Sequence, residues 1–249
     1  MAVQSAQETP LRFPALDLRP EQEIALLCRT LFNEGYDDHL AGHITTKQPD
    51  GTLLVNPWSL AWDEVCAGDI ARIDKEGRQI GGRWEVSPAV TLHVVLHEHR
   101  PDAGVVVHNH SRWGTIWADS HRVPPVYDQT GAMCASEIAL CNEYDGLVAE
   151  RSSASTVISA LGSAHAALLA NHGVMVIADD VPQAFVRSMV LEWRCRQAWH
   201  VEALGRGVPM SDDAARTVVT QIDSSPNGLA GVFEAMCRRV IRDDPGVLD

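Results

Sequence analysis

Residues 105–107 are three consecutive valines, and the chain continues His-Asn-His over 108–110. A run of β-branched residues favours an extended chain buried on both faces, so this stretch predicts a strand inside a sheet. On an extended chain His108 and His110 project to the same face. Two imidazoles side by side at the end of such a strand are either half of a metal site or packed polar groups. The spacing alone leaves both open.

The flanking segments predict what that sheet is built with. Residues 21–35 place apolar side chains at Ile24, Leu27, Cys28 and Leu31, a helical spacing that stops at Gly35. HITTK, PDG and TLLVNP (43–57) read as a hairpin, DEVCAGDIARID (63–74) as a further strand, and KEGRQIGG (75–82) as a turn-rich loop. Helical spacing returns from Pro88 to Arg100. The second half alternates again, with a helix at 153–163, a short strand ending in a turn at 166–173 and a strand at 174–179. A long amphipathic helix follows, opened by Pro182 and closed by Gly205. Residues 1–20 read as a flexible arm. No composition break divides 21–208, which reads as one α/β domain, and 209–249 reads as a helical extension with a polar, frayed end.

Composition narrows the class. The chain is 45% hydrophobic and 21% charged, as a soluble globular protein is. It carries 20 Lys+Arg against 33 Asp+Glu, a net charge of −13, which argues against general nucleic-acid binding and against an anionic membrane surface. The six cysteines are scattered with no CxxC pair, as expected of reduced thiols in a cytoplasmic protein. The first twenty residues lack the pattern of a secretory signal, and no apolar run approaches the ~20 residues of a membrane span.

Eleven histidines are present, and His172 stands out because LLANHGVMV places it where an apolar strand turns. Side chains at strand ends are held by a rigid sheet yet open to a cleft. Three neutral imidazoles at such positions would suit Zn²⁺, Mn²⁺, Fe²⁺ or Co²⁺ and leave coordination positions free. Taken alone, His172 reads equally as a turn residue bonded to backbone. His93 and His97 lie i, i+4 on one helix face, a spacing that suits a second metal or simple packing.

Four stretches together resemble the class II aldolase/adducin family over residues 21–205. They are HLAGHITTKQPDGTLLVNPWSLAWDEVCAGDIARID (39–74), LHVVLHEHRPDAGVVVHNHS (92–111), EYDG (143–146) and LLANHGVMVIADDVPQAF (168–185). The resemblance implies a single-domain, three-layer α/β/α sandwich. It also implies one divalent metal per subunit on His108, His110 and His172, and a homotetramer with active sites between subunits. Zn²⁺ is the first expectation for the metal, and a small molecule the expected substrate.

The departures from the pattern are equally informative. The family's sugar-phosphate aldolases carry Ser-Ser-Glu where this chain reads Ser87-Pro88-Ala89, and an alanine cannot move a proton. Their phosphate-binding Gly-Asn turn is here Gly42-His43. Both changes point away from a phosphorylated substrate, while Ser87-Pro88-Ala89 and NPWSLAWDEV (56–65) resemble the adducin-like branch, within which this chain keeps the metal histidines that adducin heads lose.

Decarboxylation of a small oxo- or hydroxy-substituted carboxylate, aromatic ones included, tolerates Ala89, because no carbon-bound proton must first be removed. A metal-held oxygen takes the electrons that CO₂ leaves behind. The carbanion then needs a modest acid, for which His43 or a water is the candidate; His43 reads otherwise as a solvated turn residue. Gly42, Ser87, Tyr127 and Glu137 are the candidate substrate contacts, with Asp128 and Gln129 beside them. Glu137 reads also as a helix N-terminal carboxylate. The tryptophans Trp58, Trp62, Trp193 and Trp199 read as core or interface anchors. The competing readings are a non-haem iron oxygenase, an aldolase whose acid/base comes from a neighbouring subunit, and a non-catalytic adducin-like binding module.

Overall fold

The computed structural model describes residues 16–133, 138–143, 151–223 and 230–249. In chain order these form helix α1 (Pro20–Phe32), strands β1 (His43–Lys47), β2 (Leu53–Val55), β3 (Ala71–Ile73) and β4 (Gln79–Gly81), and helix α2 (Val90–His99). Strand β5 (Val105–Asn109), helices α3 (Arg112–Asp119) and α4 (Gln129–Ala132), strand β6 (Ile138–Cys141) and helix α5 (Arg151–Leu161) follow. Strands β7 (Ala166–Leu169) and β8 (Gly173–Ala178) and helices α6 (Val181–Ala203), α7 (Asp212–Asp223) and α8 (Ala230–Asp243) complete the set.

The eight strands make one sheet in the order β4-β3-β2-β1-β5-β8-β7-β6, antiparallel except where β6 pairs with β7. Its two faces divide by the strand period of two. Val105 and Val107 of β5 join Val174 and Val176 of β8 in a core closed by Ile24, Leu27 and Leu31 of α1 and Phe185 of α6. Val106, Met175 and Ile177 face the other way, onto Leu92, Val95 and Leu96 of α2 and Val157 and Leu161 of α5. Helices cover both faces, which is the three-layer α/β/α sandwich expected. The three valines are apolar throughout because each face of β5 is a core face.

Local signals explain the helix ends. Asp180 caps α6 by accepting from Gln183 N at 2.8 Å, with Pro182 in the first turn, and Gly205 (φ +80°) ends it. Ser87 Oγ accepts from Ala89 N at 3.3 Å just ahead of α2.

Three elements differ from the sequence reading. Of segment 63–74 only Ala71–Ile73 is strand, after a 3₁₀ turn at Ala67–Asp69. Segment 75–82 contains strand β4, which pairs with β3 through Arg72↔Gly81 and Ile73↔Gln79. As an edge strand it buries neither face, so it carries no alternation to read. The C-terminal end is docked rather than frayed. Phe233 and Cys237 of α8 and Val247 lie in the α1/α6 core, and the Asp249 carbonyl accepts from Gly68 N at 2.6 Å. Val247 and Leu248 pack on that core, and the Leu248 carbonyl accepts from Gln22 Nε2 at 3.1 Å. Among the described residues no helix is long and apolar enough to cross a membrane. Glu137 and most of the EYDG stretch lie outside the described residues.

Candidate metal centre

The β1–β5 register sets His43 directly opposite His108, and alternation then puts His43, Thr45, His108 and His110 on the sheet face that α2 covers. Two glycines let the backbones close. A Cβ on Gly42 (φ +103°) would lie 2.8 Å from the Trp62 ring and 3.0 Å from His108 O. One on Gly173 would lie 2.6 Å from Asn109 O and 2.7 Å from the His110 ring. The turn between β7 and β8, with Asn171 at φ +55°, brings His172 beside the end of β5.

His108, His110 and His172 thereby converge, with one ligand atom from each lying within 4.8 Å of the others. Ring centroids are 4.8 Å apart for His108 and His172, 5.0 Å for His110 and His172 and 5.3 Å for His108 and His110. Among the described residues this is the one group of three or more such side chains arranged to hold a metal ion.

The hydrogen bonds prepare these rings as ligands. His108 Nδ1 donates to Val174 O at 2.9 Å, and His110 Nδ1 donates to Asp38 Oδ2 at 2.8 Å. Each leaves its Nε2 lone pair uncommitted, the arrangement that orients metal-binding imidazoles. His110 Nε2 is buried with no protein partner, a cost that a bound cation removes. Partial burial pulls the Asp38 carboxyl up, but hydrogen bonds from His110 and His39 outweigh it and hold the group below its ordinary range.

Burial, reinforced by His172, His43, His110 and His93, holds His108 far below the usual imidazole range. Burial and then His110 bring His172 down to about 4, and burial with His110 and His172 brings His43 to about 4. A cluster that resists protonation keeps its lone pairs for a metal. The donor set, the orphaned nitrogen and the carbonyl and carboxylate partners all fit a divalent ion.

The other candidate residues separate. His43 is 9% exposed and stacks on His108 at 5.6 Å, beside the three-histidine cluster. Ser87 is buried just ahead of α2, where its Oγ accepts from the backbone N–H of the half-buried Ala89. Tyr127 packs against the α1/α6 core and the backbone of Gly207. Asp128 caps α4 through Gly131 N and accepts from Trp193 Nε1. Gln129 opens that helix on the exposed side. Trp62 is core, stacked on Tyr36 at 6.3 Å.

His93 and His97 take the packed alternative. Both are buried, and Thr45 Oγ1 lies between His93 Nδ1 at 2.9 Å and His97 Nε2 at 2.8 Å.

Three residues near the site escaped the sequence reading. Asp38 lies 72 positions from His110, and no local pattern links them. Thr45 was within reach, because two positions from His43 on a strand means the same face. Glu192 of α6, 4% exposed, accepts from Ser111 Oγ, Trp113 N and Gly114 N and so fastens the start of α3, directly after His110. In an amphipathic helix a single buried carboxylate has no distinguishing signature.

Comparisons with known proteins agree with this architecture. The family model described as Class II Aldolase and Adducin N-terminal domain matches residues 22–199. A 4-hydroxy-3-prenylphenylpyruvate oxygenase/4-hydroxy-3-prenylbenzoate synthase from Streptomyces roseochromogenus subsp. oscitans is 26% identical over 205 residues, covering 80% of this chain and 74% of the relative. Decarboxylase NovR from Streptomyces niveus is 25% identical over 205 residues, covering 80% and 76%. The crystal structure of an aldolase II superfamily protein from Pseudomonas syringae superposes with a TM-score of 0.83 at 21% identity, covering 96% of this chain and 98% of that one.

Proposed function

The chain belongs to the class II aldolase and adducin family, and from that premise we propose that it is a metal-dependent carbon–carbon lyase. The reaction we favour is decarboxylation of a small, non-phosphorylated oxo- or hydroxy-substituted carboxylate. The observation that carries this reading is a prepared three-imidazole cluster standing without the aldolases' carboxylate, whose place is taken by Ala89 at the start of α2. The name of one Streptomyces relative, a decarboxylase, supports this direction, whereas that of the other, a 4-hydroxy-3-prenylphenylpyruvate oxygenase, supports the competing oxygenase reading.

His108, His110 and His172 would hold the metal. When bound, a divalent ion there supplies Lewis-acid stabilisation for charge developing on a substrate oxygen. Asp38 and the Val174 carbonyl keep the ligand rings in the metal-binding tautomer. The buried floor of β1 and β5 excludes water from one side of the site. His43, next to the cluster, is the side chain we assign to holding the proton that replaces CO₂ on the substrate carbon. The Gly42-His43 turn and the solitary Ser87, whose Oγ already accepts from Ala89 N, offer little to a phosphate, which supports a non-phosphorylated substrate. Family members are commonly oligomeric, and we extend this to a homotetramer acting in the cytoplasm. The described cysteines, all free thiols, are compatible with that compartment.

The test is CO₂ release from a panel of hydroxy- and oxo-carboxylates by protein loaded separately with Zn²⁺, Mn²⁺, Fe²⁺ and Co²⁺. We expect release that needs metal but not oxygen, and that is lost in His108→Ala. Release strictly coupled to Fe²⁺-dependent oxygen uptake would move the assignment to the oxygenase reading. Failure to bind any of the four metals would sink both.

A further inference from the structure

Among the described residues three non-glycines take the left-handed backbone, His39 (φ +49°), His121 (φ +53°) and Asn171 (φ +55°). All three border the candidate metal centre. His39 follows Asp38, the partner of His110; Asn171 precedes His172; and His121 is bonded to Asn171. Left-handed backbone is unfavourable for an L-residue and persists only where the surrounding structure holds it. His121 shows this most plainly. It stands one residue past the C-cap of α3, where His121 N donates to Ala118 O at 3.0 Å and Arg122 N to Trp117 O at 3.4 Å. That pair of bonds closes many helices, and glycine usually fills the left-handed position because it has no Cβ. What a histidine adds there is its ring.

The ring reaches across to the ends of two strands. Its Nδ1 lies 3.1 Å from Asn142 Oδ1, just beyond β6, and its Nε2 lies 3.2 Å from Asn171 Nδ2, just beyond β7. A carbonyl oxygen accepts and an amide N–H donates, so the neutral ring gives its proton to Asn142 and takes one from Asn171. The two strand ends already lie side by side, with Cys141 opposite Leu169 and Ala170 N donating to Cys141 O at 2.8 Å. His121 ties the end of α3 to them. The turn that follows β7 is closed by His172 N donating to Leu169 O at 3.0 Å, and from it the His172 ring faces His108 and His110. The same α3 begins at Arg112, directly after His110 and Ser111. One helix is therefore joined to both arms of the cluster.

We infer that His121 is a positioning residue: by bonding Asn171 it fixes the turn that carries His172, and it makes α3 a strut between the arm bearing His110 and the arm bearing His172. The spacing of the imidazoles is then held by the protein rather than by the ion. The consequence for metal affinity rests on the metal-binding reading of the cluster, but the hold on the turn does not.

The experiment compares wild type, His121→Gly, Asn171→Gly and the double variant, because glycine keeps each left-handed backbone while deleting the side chain. Zinc affinity is measured by competition with a chelator, and stability of the zinc-free protein by urea unfolding. His121→Gly should lower zinc affinity about 2- to 10-fold, as loss of one hydrogen bond would, with the urea midpoint unchanged. In the Asn171→Gly background it should lower affinity no further, since the bond is already gone. A His121→Gly variant that binds zinc as tightly as the wild type would overturn the inference, as would a second, additive loss in the double variant. An affinity loss matched by a lower urea midpoint would also overturn it, by making the role of His121 a general structural one. A last readout needs no metal: exchange of the His172 amide in zinc-free protein should be about 2- to 10-fold faster in His121→Gly. If the wild type binds no zinc, the metal reading fails, and that exchange rate alone decides whether His121 holds the turn.

Discussion

At the scale of single residues, the site depends on which nitrogen of each imidazole is free. Asp38 matters because its carboxylate, 2.8 Å from His110 Nδ1, keeps the metal-facing nitrogen deprotonated. Asp38→Ala should weaken metal binding about 10- to 100-fold, measured by competition with a chelator, while each ligand substitution (His108→Ala, His110→Ala, His172→Ala) should abolish it. Protonation of His97 gives a separate prediction. Its folded value of about 4 lies below the ~6.5 of an unfolded histidine, so the unfolded chain binds more protons between those limits. The stabilisation is therefore complete above about pH 6.5 and declines as pH falls toward 4, by on the order of 3 kcal/mol in total. His93, also buried neutral, adds in the same direction. Urea midpoints at pH 7, 6 and 5 should fall in that order, and less steeply in His97→Gln.

At the scale of elements, the candidate metal centre is a meeting of two strand ends and a helix start, held by contacts from residues outside the three-histidine cluster. Glu192 reaches from α6 to the first turn of α3, where it satisfies Trp113 N, Gly114 N and Ser111 Oγ. Burial raises its carboxyl pKa, and the donors from Trp113, Ser111 and Gly114 oppose that rise. Glu192→Ala should cost about 2–4 kcal/mol in urea unfolding, because it leaves buried donors orphaned. Glu192→Gln keeps the shape and one acceptor and should cost less. Gly173 acts by absence of a side chain: a Cβ there would press on Asn109 O and the His110 ring. Gly173→Ala should destabilise the protein by about 1–3 kcal/mol. It should also displace His110, so metal affinity should fall with stability, which isothermal titration and denaturation together would show.

At the scale of the whole molecule, one mostly antiparallel sheet carries both core faces, and the C-terminal helix completes the larger of them. Deleting residues 230–249 would strip Phe233, Cys237 and Val247 from the α1/α6 core. A side chain of that kind contributes roughly 1.5–3 kcal/mol when buried, so several together approach the whole stability of a domain. The truncated protein should be insoluble or lack a cooperative thermal transition.

Much of this was legible in the residues themselves. Val105 to Val107 announced a two-sided buried strand, the spacing in α1 and α6 announced their buried faces, and His108 with His110 followed from a period of two. Those patterns are local consequences of backbone geometry, which each residue's own neighbours reveal. The exposed edge strand β4 and the docked Val247 were not legible, because pairing and docking partners lie far along the chain. The convergence of His172 on the β5 pair was implied only by family resemblance, and no spacing contains it. Asp38 behind His110, Glu192 beneath α3 and the Thr45–His93–His97 chain behind His43 were settled by tertiary structure alone. Which nitrogen of an imidazole holds its proton depends on what lies within 3 Å of the other, and only the folded chain decides that.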